Sequence, residues 1–132
     1  MTAALLAKRI LLVHDSFVAR ETLSMLLGSC GCQVDVAPCT TSALKTLMGP
    51  TPPDVVVLEL KVLQAGAWPP EGATRSAPVV ALCDVPEQCD QARALGACSV
   101  LHEPFGPIEL LQAVSHCCGE GPLVATATPS AG

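Results

Sequence analysis

PDVVVLELK, residues 53–61, combines a proline-bounded apolar run with a carboxylate at its end. The apolar residues 55–58 lead directly into Glu59. A β-branched run of this length is typical of a strand that is buried on both faces of a parallel sheet. The glutamate therefore marks the position where we expect a buried strand to reach the protein surface.

Strand and helix patterns alternate on both sides of this stretch. Apolar or alternating segments predict four further strands, and apolar residues at helical spacing predict helices between them. Ser16 is expected to cap the first helix, and Thr40 or Thr41 the second. The further strands are predicted over residues 9–13, 33–37, 79–82 and 99–101, and the helices over 17–27, around 43–47, from 86 to about 95, and from 107 onward.

Such an alternation predicts an α/β fold, a flavodoxin-like, doubly wound, five-stranded parallel sheet with right-handed crossovers. The third helix is expected to be shortened or absent, because glycines and prolines interrupt residues 64–76. Parallel sheets of this kind carry their sites at the carboxyl ends of the strands. We predict a lead-in over residues 1–7, one domain over 8–118 and a disordered tail over 119–132.

Composition excludes several classes of function. The chain has 132 residues, a net charge of −5 and 2% aromatic residues, so it lacks the basic surface that binds nucleic acid or an anionic membrane. The apolar runs are too short to span a bilayer, and a cytoplasmic protein is expected. Eight cysteines occur without zinc-ligand spacing, so we interpret them as small apolar residues in a reducing compartment.

Four segments together resemble the receiver domain of response regulators, the CheY-like phosphoacceptor module. The resemblance covers about residues 8–118 and implies the strand order 2-1-3-4-5 and a role in two-component phosphorelay signalling. No segment is specific alone, but their order and spacing are. The segments are KRILLVHDS (8–16), PDVVVLEL (53–60), APVVALC (77–83) and GACSVLHEPFGPIELL (96–111).

The resemblance also assigns positions within a phosphorylation site. In the family, two acids hold Mg²⁺ beside a phosphoacceptor aspartate, while a Thr or Ser hydroxyl and a lysine grip the phosphoryl oxygens. This chain departs at almost every position, so we expect a degenerate pseudo-receiver. The acidic-pair positions are His14 and Asp15, the phosphoacceptor position is Glu59, the hydroxyl position is Cys83, the lysine position is Glu103, the switch-aromatic position is Val100, and Pro104 is the cis-proline candidate.

The altered pocket is expected to bring Asp15, Glu59 and Glu103 together, with His14 adjacent and no lysine to balance them. Two carboxylates about 6 Å apart repel by roughly 3 kcal/mol at an effective dielectric of 20. A proton, a charged His14 or a divalent cation such as Mg²⁺ on Asp15 and Glu59 could relieve this repulsion. The simplest expectation is that Glu103 turns into water.

These observations favour a stand-alone, non-enzymatic, receiver-like domain that acts by binding a protein without being phosphorylated and that requires no cofactor. The expected partner is a signalling protein, either a histidine kinase or a downstream effector, bound through residues 96–118. The domain would act in trans or belong to a longer protein. One alternative is a working phosphoacceptor that uses Asp15, His14 or Glu59. Another is a flavodoxin-like small-molecule binder, although the chain lacks a glycine-rich phosphate loop and aromatic residues for a ring cofactor.

Overall fold

Five parallel strands form one sheet, and their order is β2-β1-β3-β4-β5. The computed structural model describes residues 8–73 and 77–118. The predicted fold class, strand order and alternation of strands with helices are confirmed. The elements are β1 (Arg9–Val13), α1 (Phe17–Gly28), β2 (Gln33–Ala37), α2 (Thr40–Leu47), β3 (Val55–Glu59), α3 (Leu60–Gln64), β4 (Val79–Cys83), α4 (Glu87–Ala94), β5 (Ser99–His102) and α5 (Pro107–Cys117).

The central strand is β3, which pairs with β1 on one side and β4 on the other. Its four apolar residues are fully buried. Val55 and Val57 face one apolar cluster, whereas Val56 and Leu58 face the other. Burying each of these side chains stabilises the fold by about 1.5–3 kcal/mol. This packing on both faces explains the continuous apolar run before Glu59.

The first two helices begin differently. Ser16 caps α1 as predicted, and its Oγ accepts a hydrogen bond from the Ala19 N–H at 3.2 Å. The predicted caps of α2 are wrong, because that helix already begins at Thr40 and Cys39 is the extended residue before it. The Cys39 thiol contributes no cap to the backbone and instead lies 3.5 Å from the Ser42 hydroxyl.

The third helix is shortened to five residues, as predicted. It ends where Gly66 adopts a φ of 70°, a left-handed conformation that favours glycine. Beyond it, Trp68 packs against the cluster that includes Leu58. The predicted lead-in and tail lie outside the described residues. Within the ranges 8–73 and 77–118, no helix is long and apolar enough to cross a membrane.

Candidate functional site

The predicted site residues lie at the carboxyl ends of four neighbouring strands. His14 and Asp15 follow β1, Glu59 ends β3, Cys83 ends β4, and Glu103 follows β5. Because β1, β3, β4 and β5 are adjacent and parallel, their carboxyl ends meet at one edge of the sheet. The structure thus brings these positions to a common edge, as the sequence predicted, but their side chains separate into different groups.

His14 is the buried polar residue at the centre of this edge, with 9% of its surface exposed. Its Nδ1 accepts a hydrogen bond from the Ser16 N–H at 3.1 Å. A neutral imidazole that accepts at Nδ1 carries its proton on Nε2. That Nε2 lies 3.7 Å from Oε2 of Glu59. The Nδ1 lone pair of His14 is therefore occupied by the Ser16 N–H, and its Nε2 lies near Glu59 but beyond hydrogen-bond distance.

Lys61 supplies a cation that the sequence analysis missed. Its Nζ lies 2.7 Å from Oδ2 of Asp15 and 3.7 Å from Oε1 of Glu59. The hydrogen bond from Lys61 is the main cause that lowers the pKa of the Asp15 carboxyl. The same bond, with the charge of Glu59, raises the pKa of the Lys61 ammonium. The expectation of a pocket without a balancing lysine is therefore wrong.

The residue's position in the chain explains why Lys61 reaches the pocket. It follows Glu59 by two residues and lies in α3, directly after the strand end. The signal in the sequence was the LELK segment itself, in which a lysine follows the acid at the predicted edge. Lys61 lies outside the family motif, whose lysine position the resemblance assigns to Glu103.

Glu103 is partly exposed at this edge and lines the same cavity as Asp84. Its pKa is raised, first because partial burial penalises the charged carboxylate and then because the nearby Asp84 carboxylate disfavours a second negative charge. Asp84 directly follows Cys83 at the end of β4 and was missed by the sequence analysis. The two carboxyl groups form a pair that is favoured when one of them carries a proton.

Two cavities flank His14 at this edge. One of about 370 Å³ is lined by Asp15, Glu59 and Lys61. The other, of about 690 Å³, is lined by Asp84 and Glu103, and His14 borders both. The predicted convergence of three carboxylates is thus divided, with Asp15 and Glu59 on one side of the imidazole and Glu103 on the other.

Cys83 occupies the hydroxyl position but is buried in the apolar core, with 1% of its surface exposed. Burial is the main cause that raises the pKa of its thiol to about 11, with a further contribution from Cys89. Its Sγ lies 4.0 Å from the carbonyl oxygen of Gln88. A protonated, buried thiol is a weak donor, so Cys83 offers little to an incoming phosphoryl group.

The switch and proline positions that the resemblance assigns lie on β5 and directly after it. Val100 pairs with Ala81 within the sheet and packs, half-buried, against the same core cluster. A valine has no ring that could move between exposed and buried orientations. The Glu103–Pro104 peptide bond is cis. Phe105, which follows it, packs against the opposite core cluster.

The residues present do not fit the Mg²⁺ ion that the resemblance implies. His14, Asp15 and Glu59 each place one potential ligand atom within 4.8 Å of the others. Mg²⁺, however, requires near-octahedral oxygen coordination. Here an imidazole replaces one acid of the pair, its Nδ1 holds the Ser16 N–H, and the Lys61 ammonium already lies against Asp15. The cation beside these carboxylates is therefore a side chain of the protein, the Lys61 ammonium.

Comparison with known proteins supports the fold. Its solved neighbours include CheY4 of Vibrio cholerae (24% identity, 84% of this chain and 98% of that one, TM-score 0.65). They also include a receiver domain from Bermanella marisrubri (20% identity, 84% of this chain and 98% of that one, TM-score 0.70). A third is a response regulator receiver protein from Burkholderia phymatum (22% identity, 85% of this chain and 95% of that one, TM-score 0.69). The chain has the receiver fold. No family model matches its sequence. No curated protein has a matching sequence.

Proposed function

We propose that this receiver-like domain serves two-component signalling as a non-enzymatic protein-binding module that does not use phosphorylation. The observation that carries the proposal is that Glu103, at the position that the resemblance assigns to the phosphate-gripping lysine, lines the same cavity as a second acid, Asp84. Phosphoryl transfer depends on fixed positive charge around the transferred oxygens. A pair of acids at that position repels the group that a lysine would hold.

The remaining site residues support the same proposal. Glu59 places its carboxylate one methylene farther out than an aspartate, and a displacement of about 1 Å can cost two orders of magnitude in rate. Lys61, the nearby cation, is already engaged by Asp15. The buried Cys83 thiol replaces a hydroxyl, and Val100 replaces the movable ring. The chain therefore lacks both the usual residues for phosphoryl transfer and the usual aromatic residue of the conformational switch.

The proposed partner surface is formed by residues 96–118, as the resemblance suggests. β5 lies at the edge of the sheet. A cleft of about 680 Å³ runs beside it, lined by residues of β5 and α5 together with Arg93. Ile108 is 68% exposed near the start of α5, and Leu95 is 44% exposed at the end of α4. A partly polar cleft beside β5 and an exposed apolar side chain on α5 suit a protein partner.

The alternative that Glu59 imitates a phosphorylated residue is tested by the Glu59→Ala variant. A fixed binding surface predicts that amide NMR shifts change only near residue 59 and that partner binding is unchanged. The control is Glu71→Ala, which removes an exposed carboxylate elsewhere on the surface. Shift changes that extend through β5 and α5 in the Glu59 variant, but not in the control, would overturn the proposal that the binding surface is fixed and independent of phosphorylation.

A further inference from the structure

We infer that Lys61 is a tethered counter-ion that takes the place of a divalent cation in this pocket and keeps such ions out. The inference concerns the cation of the pocket, and its test needs neither phosphate nor a partner. Exclusion of divalent ions by Lys61 can therefore be disproved while the proposed protein-binding function stands, and the proposed function can be disproved while this exclusion stands.

The first support is the position of the ammonium group. Lys61 Nζ lies 2.7 Å from Asp15 Oδ2 and 3.7 Å from Glu59 Oε1, so it contacts the two carboxylates that a metal ion in this pocket would bridge. A divalent ion close to those oxygens would also lie close to the ammonium. Two positive groups about 4 Å apart repel even at the dielectric of water.

The second support comes from His14, the remaining candidate ligand. Its Nδ1 accepts from the Ser16 N–H at 3.1 Å, and the protonated Nε2 faces Glu59 at 3.7 Å. Metal-bound histidines donate their other ring N–H to a partner, whereas here that other nitrogen accepts. To bind a metal, this imidazole would have to give up the Ser16 hydrogen bond that helps to fix it.

The third support is the set of positive and donor groups around the two carboxylates. The Lys61 ammonium faces both Asp15 and Glu59, while His14 offers Glu59 a neutral N–H, so Lys61 supplies the positive charge among these contacts. Lys61 is 60% exposed, so its side chain is held by these carboxylates and not by packing. Removing its charge should therefore leave the backbone in place and expose two unbalanced carboxylates to solution.

The test uses Mn²⁺, a paramagnetic ion that accepts carboxylate ligands and broadens the NMR signals of nearby amides. The wild type and the Lys61→Gln variant are titrated in parallel. We expect the variant to bind Mn²⁺ at least about tenfold more tightly, because a competing positive charge has been removed. The broadened amides should be those around His14, Asp15 and Glu59.

Lys45→Gln is the matched control, since it removes the same charge from the exposed side of α2. The double variant Lys61→Gln/Asp15→Asn should lose the gained affinity, which shows that the ion binds at this pocket and not at a cysteine. Equal broadening of these amides in wild type and Lys61→Gln would overturn the inference. Failure of a folded Lys61→Gln variant to gain Mn²⁺ binding would overturn it as well.

Discussion

Lys61 Nζ lies 2.7 Å from Asp15 Oδ2, although 46 residues separate them in the chain. The contact joins the ends of two adjacent strands, β1 and β3, across the edge where receiver domains carry their chemistry. It also changes the electrostatic interpretation of the pocket. The cluster was expected to be acidic without a nearby cation, but on one side of His14 the Lys61 ammonium lies close to Asp15 and Glu59.

Substituting Lys61 by glutamine should raise the pKa of Asp15 toward its ordinary value, because the hydrogen bond from Lys61 is the main cause of its depression. A depressed carboxyl pKa contributes stability above the ordinary value and loses it as pH falls through the folded-state value. The variant's loss of stability should thus be present at neutral pH and vanish in acid. Carbon-13 NMR titration of the Asp15 carboxyl, with Lys45→Gln as control, checks the shift, and an unchanged Asp15 titration would contradict it.

Substituting Glu103 by glutamine should stabilise the protein at neutral pH, by less than about 1 kcal/mol because solvent screens a partly exposed pair. The pKa of Glu103 is raised, so its ionised form at neutral pH is unfavourable in the folded state. The wild type regains this stability as pH falls and Glu103 takes up a proton, so the advantage of the variant should disappear in acid. Urea unfolding at several pH values measures the difference.

Two further variants separate the effect of the carboxyl pair from that of charge in general. Asp84→Asn should give a smaller gain than Glu103→Gln, because it ends the repulsion but leaves the burial cost of the Glu103 carboxylate, and the double variant should gain less than the sum because either substitution ends the same repulsion. Glu71→Gln, at an exposed position, should have almost no effect. Fully additive gains would show that Asp84 and Glu103 do not act as a pair.

Truncating Leu58 to alanine should cost about 2–5 kcal/mol of unfolding free energy, because the side chain is fully buried and its removal leaves a cavity. Leu95→Ala is the matched control, since Leu95 is 44% exposed and should cost far less. Chemical denaturation of both variants measures the two values. A small loss at Leu58 would mean that β3 is not the buried centre of the sheet.

The sheet could be predicted from the sequence because each buried parallel strand is a short, contiguous run of apolar residues. The apolar run Val55–Leu58 predicts a strand without reference to distant residues. Ser16 caps α1 through a contact only three residues along the chain. Side-chain partners at the strand ends depend on tertiary geometry instead. Lys61 reaches Asp15 only because β1 and β3 are neighbours and α3 begins at once after Glu59.

The position of Asp84 beside Glu103 could not be predicted from the sequence for a similar reason. Asp84 directly follows the segment APVVALC and lies outside every position that the family motif names. The pair forms because β4 and β5 are adjacent, with Cys83 opposite His102. A search for acids directly after each predicted strand would have found Asp84, although not which carboxyl it contacts.

The most direct measurement is the intact mass of the protein after incubation with acetyl phosphate and Mg²⁺. A positive control restores the family residues through His14→Asp, Glu59→Asp, Cys83→Thr and Glu103→Lys and removes the competing ammonium through Lys61→Gln, and it should gain one phosphoryl group. We expect the wild type to gain none, because the acidic Asp84–Glu103 pair stands where a cation is needed. A wild type that gains a stable phosphoryl group at Asp15, His14 or Glu59 would contradict the proposed loss of phosphotransfer.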